Sequence, residues 1–290
     1  MKFNTEFKDY KIIATGDGMK LEKWGKYVLL RPDPQVIWPS RIDMEGYKGL
    51  SAVYKREGGG GAWRFIEPIP DEFNISWRNL TFSLRLTGFK HTGLFPEQAV
   101  NWSAAISLIE AAKRPVSVLN LFAYTGGATA ACLSAGASVC HVDAARAMVE
   151  RAQKNVLLSG LKNDGVRYIV DDCIKFVGRE IKRGKRYDAV IMDPPSFGRG
   201  PNNEMWKIED GIYSLVDLTR RVMSDRPLFH LINSYTTGLQ PGVMNSIQRL
   251  VFGGGGSAVF DAYEVGLPTE EDIILPCGAS AFINFNGGLS

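Results

Sequence analysis

From Val116 to Asn284 the chain alternates short apolar runs with longer stretches of helical periodicity. The runs are Val116–Leu121, Ser138–Val142, Val166–Val170, Tyr187–Met192, Leu228–Ile232, Ala258–Tyr263 and Ala279–Asn284, and helical segments separate the first six. They are too short for helices and rich in β-branched residues, so they read as strands. Repeated strand–helix units fold into a largely parallel sheet with helices on both faces. Pro96 opens a further helical stretch to about Ala112, because proline at the first turn gives up an N–H that has no partner there. The tetraglycine Gly253–Gly256 ends a helix that starts near Pro241.

The N-terminal third reads differently. Tyr27–Leu30, Leu50–Lys55, Trp63–Ile66, Phe73–Trp77 and Leu80–Leu86 are strand-like, with Gly58–Gly61 and Arg78-Asn79 as hairpin turns. Residues 1–88 are therefore expected to form a small antiparallel β domain, and 89–290 the α/β domain. A length of 290 residues suits two domains at roughly 150 residues each.

Composition narrows the class. Hydrophobic residues make up 45% and charged residues 22%, which excludes disordered, collagen-like and disulfide-rich chains. No stretch approaches the roughly 20 apolar residues that span a bilayer, and Met1–Glu6 lacks the apolar core of a secretory signal. A cytoplasmic protein with no membrane partner is expected. The net charge of +3 lies in the first third: residues 1–85 hold 14 Lys and Arg against 11 Asp and Glu, residues 86–290 hold 20 against 20. Cys132, Cys140, Cys173 and Cys277 show neither a Cys-x-x-Cys pair nor a histidine at zinc spacing, so no metal site is expected. His141 and His230 fall within apolar strands and read as core residues.

In a sheet of this kind ligands sit beyond the carboxyl ends of the strands. The first strand runs into Phe122-Ala123-Tyr124-Thr125-Gly126-Gly127, whose glycines allow close approach to the backbone before a helix N-terminus. The Gly-x-Gly-x-x-Gly pattern of dinucleotide enzymes is absent, which argues against a nicotinamide oxidoreductase. After the second strand comes Asp143-Ala144; a carboxylate there can accept both hydroxyls of a ribose or cap the next helix. After the third comes Asp171-Asp172-Cys173, where one carboxylate can accept from an adenine amino group, the next N–H can meet a ring nitrogen, and the other aspartate is expected to cap the helix. After the fourth comes Asp193-Pro194-Pro195-Ser196-Phe197. Paired prolines hold their carbonyls rigidly and donate no N–H. Asp193 and the Pro194 carbonyl can accept from a substrate N–H, and Phe197 offers a face to a flat base.

Taken in order, these segments resemble the successive motifs of class I S-adenosylmethionine-dependent methyltransferases. Phe122-Ala123-Tyr124-Thr125-Gly126-Gly127, Gly93-Leu94-Phe95-Pro96-Glu97-Gln98 and Leu29–Gln35 are similar to segments of the bacterial large-subunit rRNA methyltransferases and their uncharacterised relatives. The resemblance implies a Rossmann-like seven-stranded sheet with its last strand antiparallel. It also implies S-adenosylmethionine as cofactor, S-adenosylhomocysteine as product, no metal, and RNA as substrate. The cofactor residues it implies are Phe95, Gln98, Phe122, Tyr124, Thr125, Gly126, Gly127, Asp143, Ala144, Asp172, Cys173 and Asp193. Asp193, Pro194, Pro195 and Phe197 would form the catalytic corner, and Ser196, Arg199, Asn233 and Tyr235 would face the substrate.

The chain departs from the family in two places. Ala99 follows Gln98 where relatives carry arginine. Methylation at C5 of cytosine needs a cysteine after the fourth or fifth strand, and those places read Asp193–Phe197 and Ile232–Thr236. Direct methylation of a base nitrogen is the expectation, with the β domain helping to hold RNA; Trp24, Trp38 and Trp63 are its candidate exposed aromatics. A protein or small-molecule substrate is the alternative, and a catalytically silent RNA-binding relative a further one. The segment Arg199–Lys207 reads as a mobile loop touching substrate, and the basic run Lys175–Arg186 as a solvated helix end.

Overall fold

The structure is a computed structural model, described here for residues 1–57, 60–88, 91–199, 205–253 and 257–287. The chain forms two compact units. One comprises 1–100, 158–160 and 266–277; the other comprises 101–157, 161–265 and 278–290.

In the first unit β1 (Tyr10–Gly16), β2 (Met19–Trp24), β3 (Tyr27–Pro32), β4 (Leu50–Glu57) and β5 (Gly60–Phe65) form one sheet in that order. β6 (Phe73–Trp77) and β7 (Leu80–Leu84) form a separate hairpin. Asp17 and Gly18, at φ 52 and 75, close the β1–β2 turn, a left-handed pair matched to strand twist. Neighbouring strands are antiparallel except β3 and β4, which run parallel across the crossover 33–49. Leu21, Trp24, Leu29, Trp77 and Phe82 are fully buried. Trp24 is thus a core residue, and its ring cannot serve as an exposed aromatic.

One carboxylate is buried with them. Glu22 accepts Nε and Nη2 of Arg31 at 2.6 and 2.9 Å and the Tyr10 hydroxyl at 2.7 Å. Burial alone would raise its pKa. The charges of Arg31 and Lys20, with the hydrogen bonds, outweigh that and hold it at about 2.

The second sheet takes shape after α1 (Ala99–Ala112). Its first half contains β8 (Ser117–Leu121), α2 (Gly127–Ser134), β9 (Ser138–Asp143), α3 (Arg146–Leu158), β10 (Val166–Val170), α4 (Cys173–Lys182) and β11 (Ala189–Met192). A short ribbon follows, β12 (Phe197–Arg199) with β13 (Met205–Lys207), then α5 (Ile208–Arg220), β14 (Phe229–Ser234), α6 (Pro241–Phe252), β15 (Val259–Pro268) and β16 (Ile274–Asn284). The strand order is β10-β9-β8-β11-β14-β16-β15. β8 pairs in parallel with both β9 and β11, so successive strands leave it in opposite directions and open a switch point at its carboxyl end. β16 is antiparallel to β14.

Alternate strand residues face two helical layers. Leu119, Leu121, Val142, Val190, Met192 and Ile232 pack with Phe176, Ile212, Val216 and Met244 of α4, α5 and α6. On the opposite face Asn120 donates to Thr129 of α2 at 2.9 Å, and Thr129 bonds His141 Nδ1 at 2.9 Å. His141 and His230 are core residues, pushed down by burial to about 4 and about 3.

Two boundaries differ from the sequence expectation. β16 starts at Ile274, which places Cys277 inside the strand. The segment 199–207 is in part a β ribbon, not an open loop, with 200–204 outside the described residues. Gly253, at φ 75, caps α6 as its glycine suggested; Gly254–Gly256 and Gly58-Gly59 lie outside the described residues. Among the described residues no helix is long and apolar enough to cross a membrane.

Candidate active site

Strand register brings the ends of five strands side by side. Leu121 pairs with Val142 and Met192, Asp143 with Val170, and Met192 with Ile232. The segments read from sequence as site motifs therefore leave one edge of the sheet together.

The turn after β8 is unusual in its backbone. Phe122, Tyr124 and Gly126 have φ of 54, 49 and 82. The two non-glycine residues each cost on the order of 1–2 kcal/mol in that region. The surroundings hold them there: Phe122 N–H donates to Cys173 Sγ at 3.3 Å, Ala123 N–H to the Val142 carbonyl at 3.1 Å, and Asn155 to the Thr125 carbonyl at 2.8 Å. The glycines are demanded by neighbours within the protein. A Cβ on Gly126 would lie 2.7 Å from Ala152 Cβ, and one on Gly127 2.5 Å from Trp102 Cζ2.

Asp143 sits half-buried beside this turn. Its Oδ2 accepts Tyr124 N–H and its Oδ1 accepts Ala145 N–H, both at 2.8 Å. These bonds fix the carboxylate plane and leave lone pairs for a further donor. Ala144 is exposed next to it. Of the next two aspartates, Asp172 is the helix cap, accepting Lys175 N–H at 2.8 Å through Oδ1, while Asp171 is ion-paired with Arg179. Asp172 remains half-buried at the edge. Cys173 is buried, and burial pushes its thiol up to about 12. The basic run is partly engaged, since Arg183 bonds Glu180 at 3.0 Å.

The corner after β11 is tied at three points. The Pro195 carbonyl accepts Trp206 Nε1 at 2.7 Å, the Ser196 carbonyl accepts Ile208 N–H at 3.1 Å, and Thr236 Oγ1 donates to Ser196 Oγ at 2.6 Å. Asp193 is half-buried, Pro194 buried, and Phe197 is 53% exposed. Arg199 occupies the register position opposite Met205.

Asn233 is the penultimate residue of β14, paired with Ser280 of β16, and Tyr235 follows the strand. Asn233 is buried, and its Oδ1 accepts Asn101 Nδ2 at 3.0 Å and Ser280 Oγ at 2.8 Å, which commits that oxygen to the interior. Tyr263 donates to Asn101 Oδ1 at 2.7 Å. Tyr235 is half-buried, with its ring over Gly278, where a Cβ would lie 2.9 Å from Cδ1. Phe95 and Gln98 lie in the first unit: Phe95 is extended and half-buried, and its carbonyl accepts Gln98 N–H at 3.1 Å. Ala99 is fully buried. Trp206 falls in the Arg199–Lys207 segment expected to touch substrate, but its bond to the Pro195 carbonyl and its seat on Gly211 have no mark in the sequence, nor does the Asn101–Asn233 bond.

Comparison with known proteins decides the family. The S-adenosylmethionine-dependent methyltransferase family matches residues 45–223. The chain belongs to that family. A crystal structure of the S-adenosylmethionine-dependent methyltransferase from Agrobacterium tumefaciens is 32% identical, with a TM-score of 0.90 over 97% of this chain and 92% of that one. Ribosomal RNA large subunit methyltransferase K/L of Shewanella frigidimarina is 29% identical over 63% of this chain and 24% of its own length. Ribosomal RNA large subunit methyltransferase K of Neisseria meningitidis is 25% identical over 76% of this chain and 64% of its own. The chain thus spans about a quarter of the first of these curated relatives and under two thirds of the second.

The donor set fits the family's cofactor. A fixed, half-buried carboxylate stands at Asp143 and a second at Asp172, beside a backbone turn at a switch point, an arrangement with acceptors for a nucleoside that carries an amino-acid chain. Among the described residues no cluster of His, Cys, Asp or Glu could hold a metal ion.

Proposed function

We propose that the chain transfers a methyl group from S-adenosylmethionine to a nitrogen of an RNA base, with ribosomal RNA as substrate and no cysteine adduct. When bound, S-adenosylmethionine supplies a methyl group on an electrophilic sulfonium. Asp143 and Ala144 would hold the ribose side, and Asp172 with the Cys173 N–H the adenine side. The turn Phe122–Gly127 would hold the remainder. Asp193 and the Pro194 carbonyl would accept N–H bonds from the target base and aim its lone pair; Pro195, Ser196, Phe197, Arg199 and Tyr235 would surround it. Most of the rate enhancement would come from this orientation. Asn233, with its oxygen committed, would contribute at most its amide N–H. Residues 1–88 would assist recognition of RNA and 89–290 carry the chemistry, in the cytoplasm.

The observation that carries the reading is the proline corner at the switch point, with its acceptors but no reactive thiol. Cys132 and Cys173 are pushed up to about 12 by burial, and burial also raises Cys140 and Cys277. The RNA assignment draws on the rRNA methyltransferases among the relatives. The test is transfer of labelled methyl to total RNA by the wild type and by Asp193→Ala. Label in RNA with the wild type and a loss on the order of a hundredfold in the variant support the reading. Label in protein or small molecules alone moves the substrate to the alternative class, and cofactor binding without any transfer overturns the enzymatic reading.

A further inference from the structure

The carbonyls of Pro194 and Pro195 look equivalent in sequence, and the structure separates them. The Pro195 carbonyl accepts the Trp206 indole N–H at 2.7 Å, while no described residue donates to that of Pro194. Trp206 lies in β13, opposite Gly198 of β12. Its neighbours Met205 and Lys207 are exposed, whereas Trp206 is half-buried and packs on the core of the second unit. Strand alternation accounts for that inward turn. The seat is built for it: a Cβ on Gly211 would lie 2.2 Å from Cζ3 and 2.7 Å from Cη2 of the Trp206 ring. Glycine inside α5 costs up to about 1 kcal/mol relative to alanine, and the ring occupies the space so cleared.

We infer that Trp206 is a positioning residue for the acceptor corner, withdrawing the Pro195 carbonyl from the substrate and locking the Pro194 carbonyl in one orientation beside Asp193. The inference rests on the methyl-transfer reading above. An amide oxygen already accepting a bond from an indole is a poorer second acceptor, and a corner with one carbonyl that no described residue occupies would hold a target nitrogen in one pose. Ile208 N–H and Thr236 fix the next residue, Ser196, so the indole bond is the link that reaches the proline pair itself.

Trp206→Phe keeps a ring on Gly211 but cannot donate; Gly211→Ala keeps the N–H but displaces the ring. Both are expected to retain the wild-type affinity for S-adenosylhomocysteine within about twofold. Both should lower the single-turnover rate of methyl transfer to total RNA, at saturating cofactor, on the order of tenfold or more, and the double variant should be no slower than either single one. The indole proton of Trp206, assigned by its disappearance from the ¹⁵N spectrum of Trp206→Phe, should be protected from exchange in the wild type and lose that protection in Gly211→Ala. A folded Trp206→Phe at the wild-type rate overturns the inference, as does a rate loss that merely tracks lost cofactor affinity. If the wild type transfers no methyl to RNA, the functional reading fails while the exchange measurement still decides whether the bond exists; an unprotected indole proton overturns the clamp by itself.

Discussion

Asp143 reaches from the end of β9 to accept the backbone N–H of Tyr124 at 2.8 Å, in the turn that leaves β8. With Ala145 N–H on its other oxygen, one carboxylate sets both the turn and its own orientation. Asp143→Ala removes the acceptor of two N–H groups, and bonds to a charged group contribute about 1.5–3 kcal/mol each. Partial exposure and rehydration place the expected destabilisation near the lower end. Affinity for S-adenosylhomocysteine should fall by more than about tenfold, consistent with one lost charge-assisted bond. Asp143→Asn keeps one acceptor and should recover part of the stability. Denaturant unfolding and titration calorimetry read the two effects separately.

Gly127 and Trp102 are packed so that neither can grow. Gly127→Ala inserts a methyl 2.5 Å from the indole, and overpacking of this kind costs about 1–3 kcal/mol. In Trp102→Leu the same alanine should cost much less, so the pair should be strongly non-additive in denaturation measurements. Gly126→Ala should be the more damaging single change, because φ of 82 adds strain to the clash with Ala152.

Acid should weaken the fold in two adjoining ranges. His141 and His230 titrate at about 4 and about 3 when folded, below the ordinary 6.5, so the unfolded chain takes up protons first. Their contribution is complete above pH 6.5 and is lost as pH falls toward 3. Glu22, held at about 2 against an ordinary 4.5, contributes above pH 4.5 and loses that contribution as pH falls toward 2. Urea midpoints from pH 7 to 3 should fall throughout. His230→Gln should flatten the upper part of the curve and Glu22→Gln the lower part, although Glu22→Gln also removes the carboxylate that accepts Nε and Nη2 of Arg31 and should cost about 3 kcal/mol at neutral pH.

The buried thiols predict the absence of a covalent intermediate. RNA carrying 5-fluorocytidine should give no denaturation-resistant adduct with the protein, and Cys277→Ala should transfer methyl at the wild-type rate. An adduct abolished by replacing one cysteine would reverse the mechanistic proposal. Gel electrophoresis under denaturing conditions is sufficient.

The parallel sheet was legible because its strands are short apolar runs, as Ala189–Met192 shows, and an aspartate closes β9 and follows β10 and β11. The aspartates and the proline corner could be found for the same reason. β1 and β2 carried a usable signal in Asp17-Gly18 that the alternation of charged residues in Met19–Trp24 obscured. The parallel pairing of β3 with β4 depends on the crossover 33–49, which has no local mark. Trp206, Trp102 and the Asn101–Asn233 bond depend on contacts that only the packed sheet creates, the last across 132 positions of chain. The apolar run ends at Ile232, which puts Asn233 just past the strand in sequence, whereas β14 runs to Ser234; the side chain of α1 that bonds the Asn233 oxygen is invisible at that point in the sequence.

A crystal structure of the chain with S-adenosylhomocysteine would show whether the ends of β8, β9, β10 and β11 hold the cofactor. Ribose hydroxyls are expected within hydrogen-bond distance of Asp143, adenine beside Asp172 and Cys173, and sulfur facing the Asp193-Pro194 corner. Adenosine bound away from the ends of β8 and β9, or sulfur turned away from that corner, would contradict that placement.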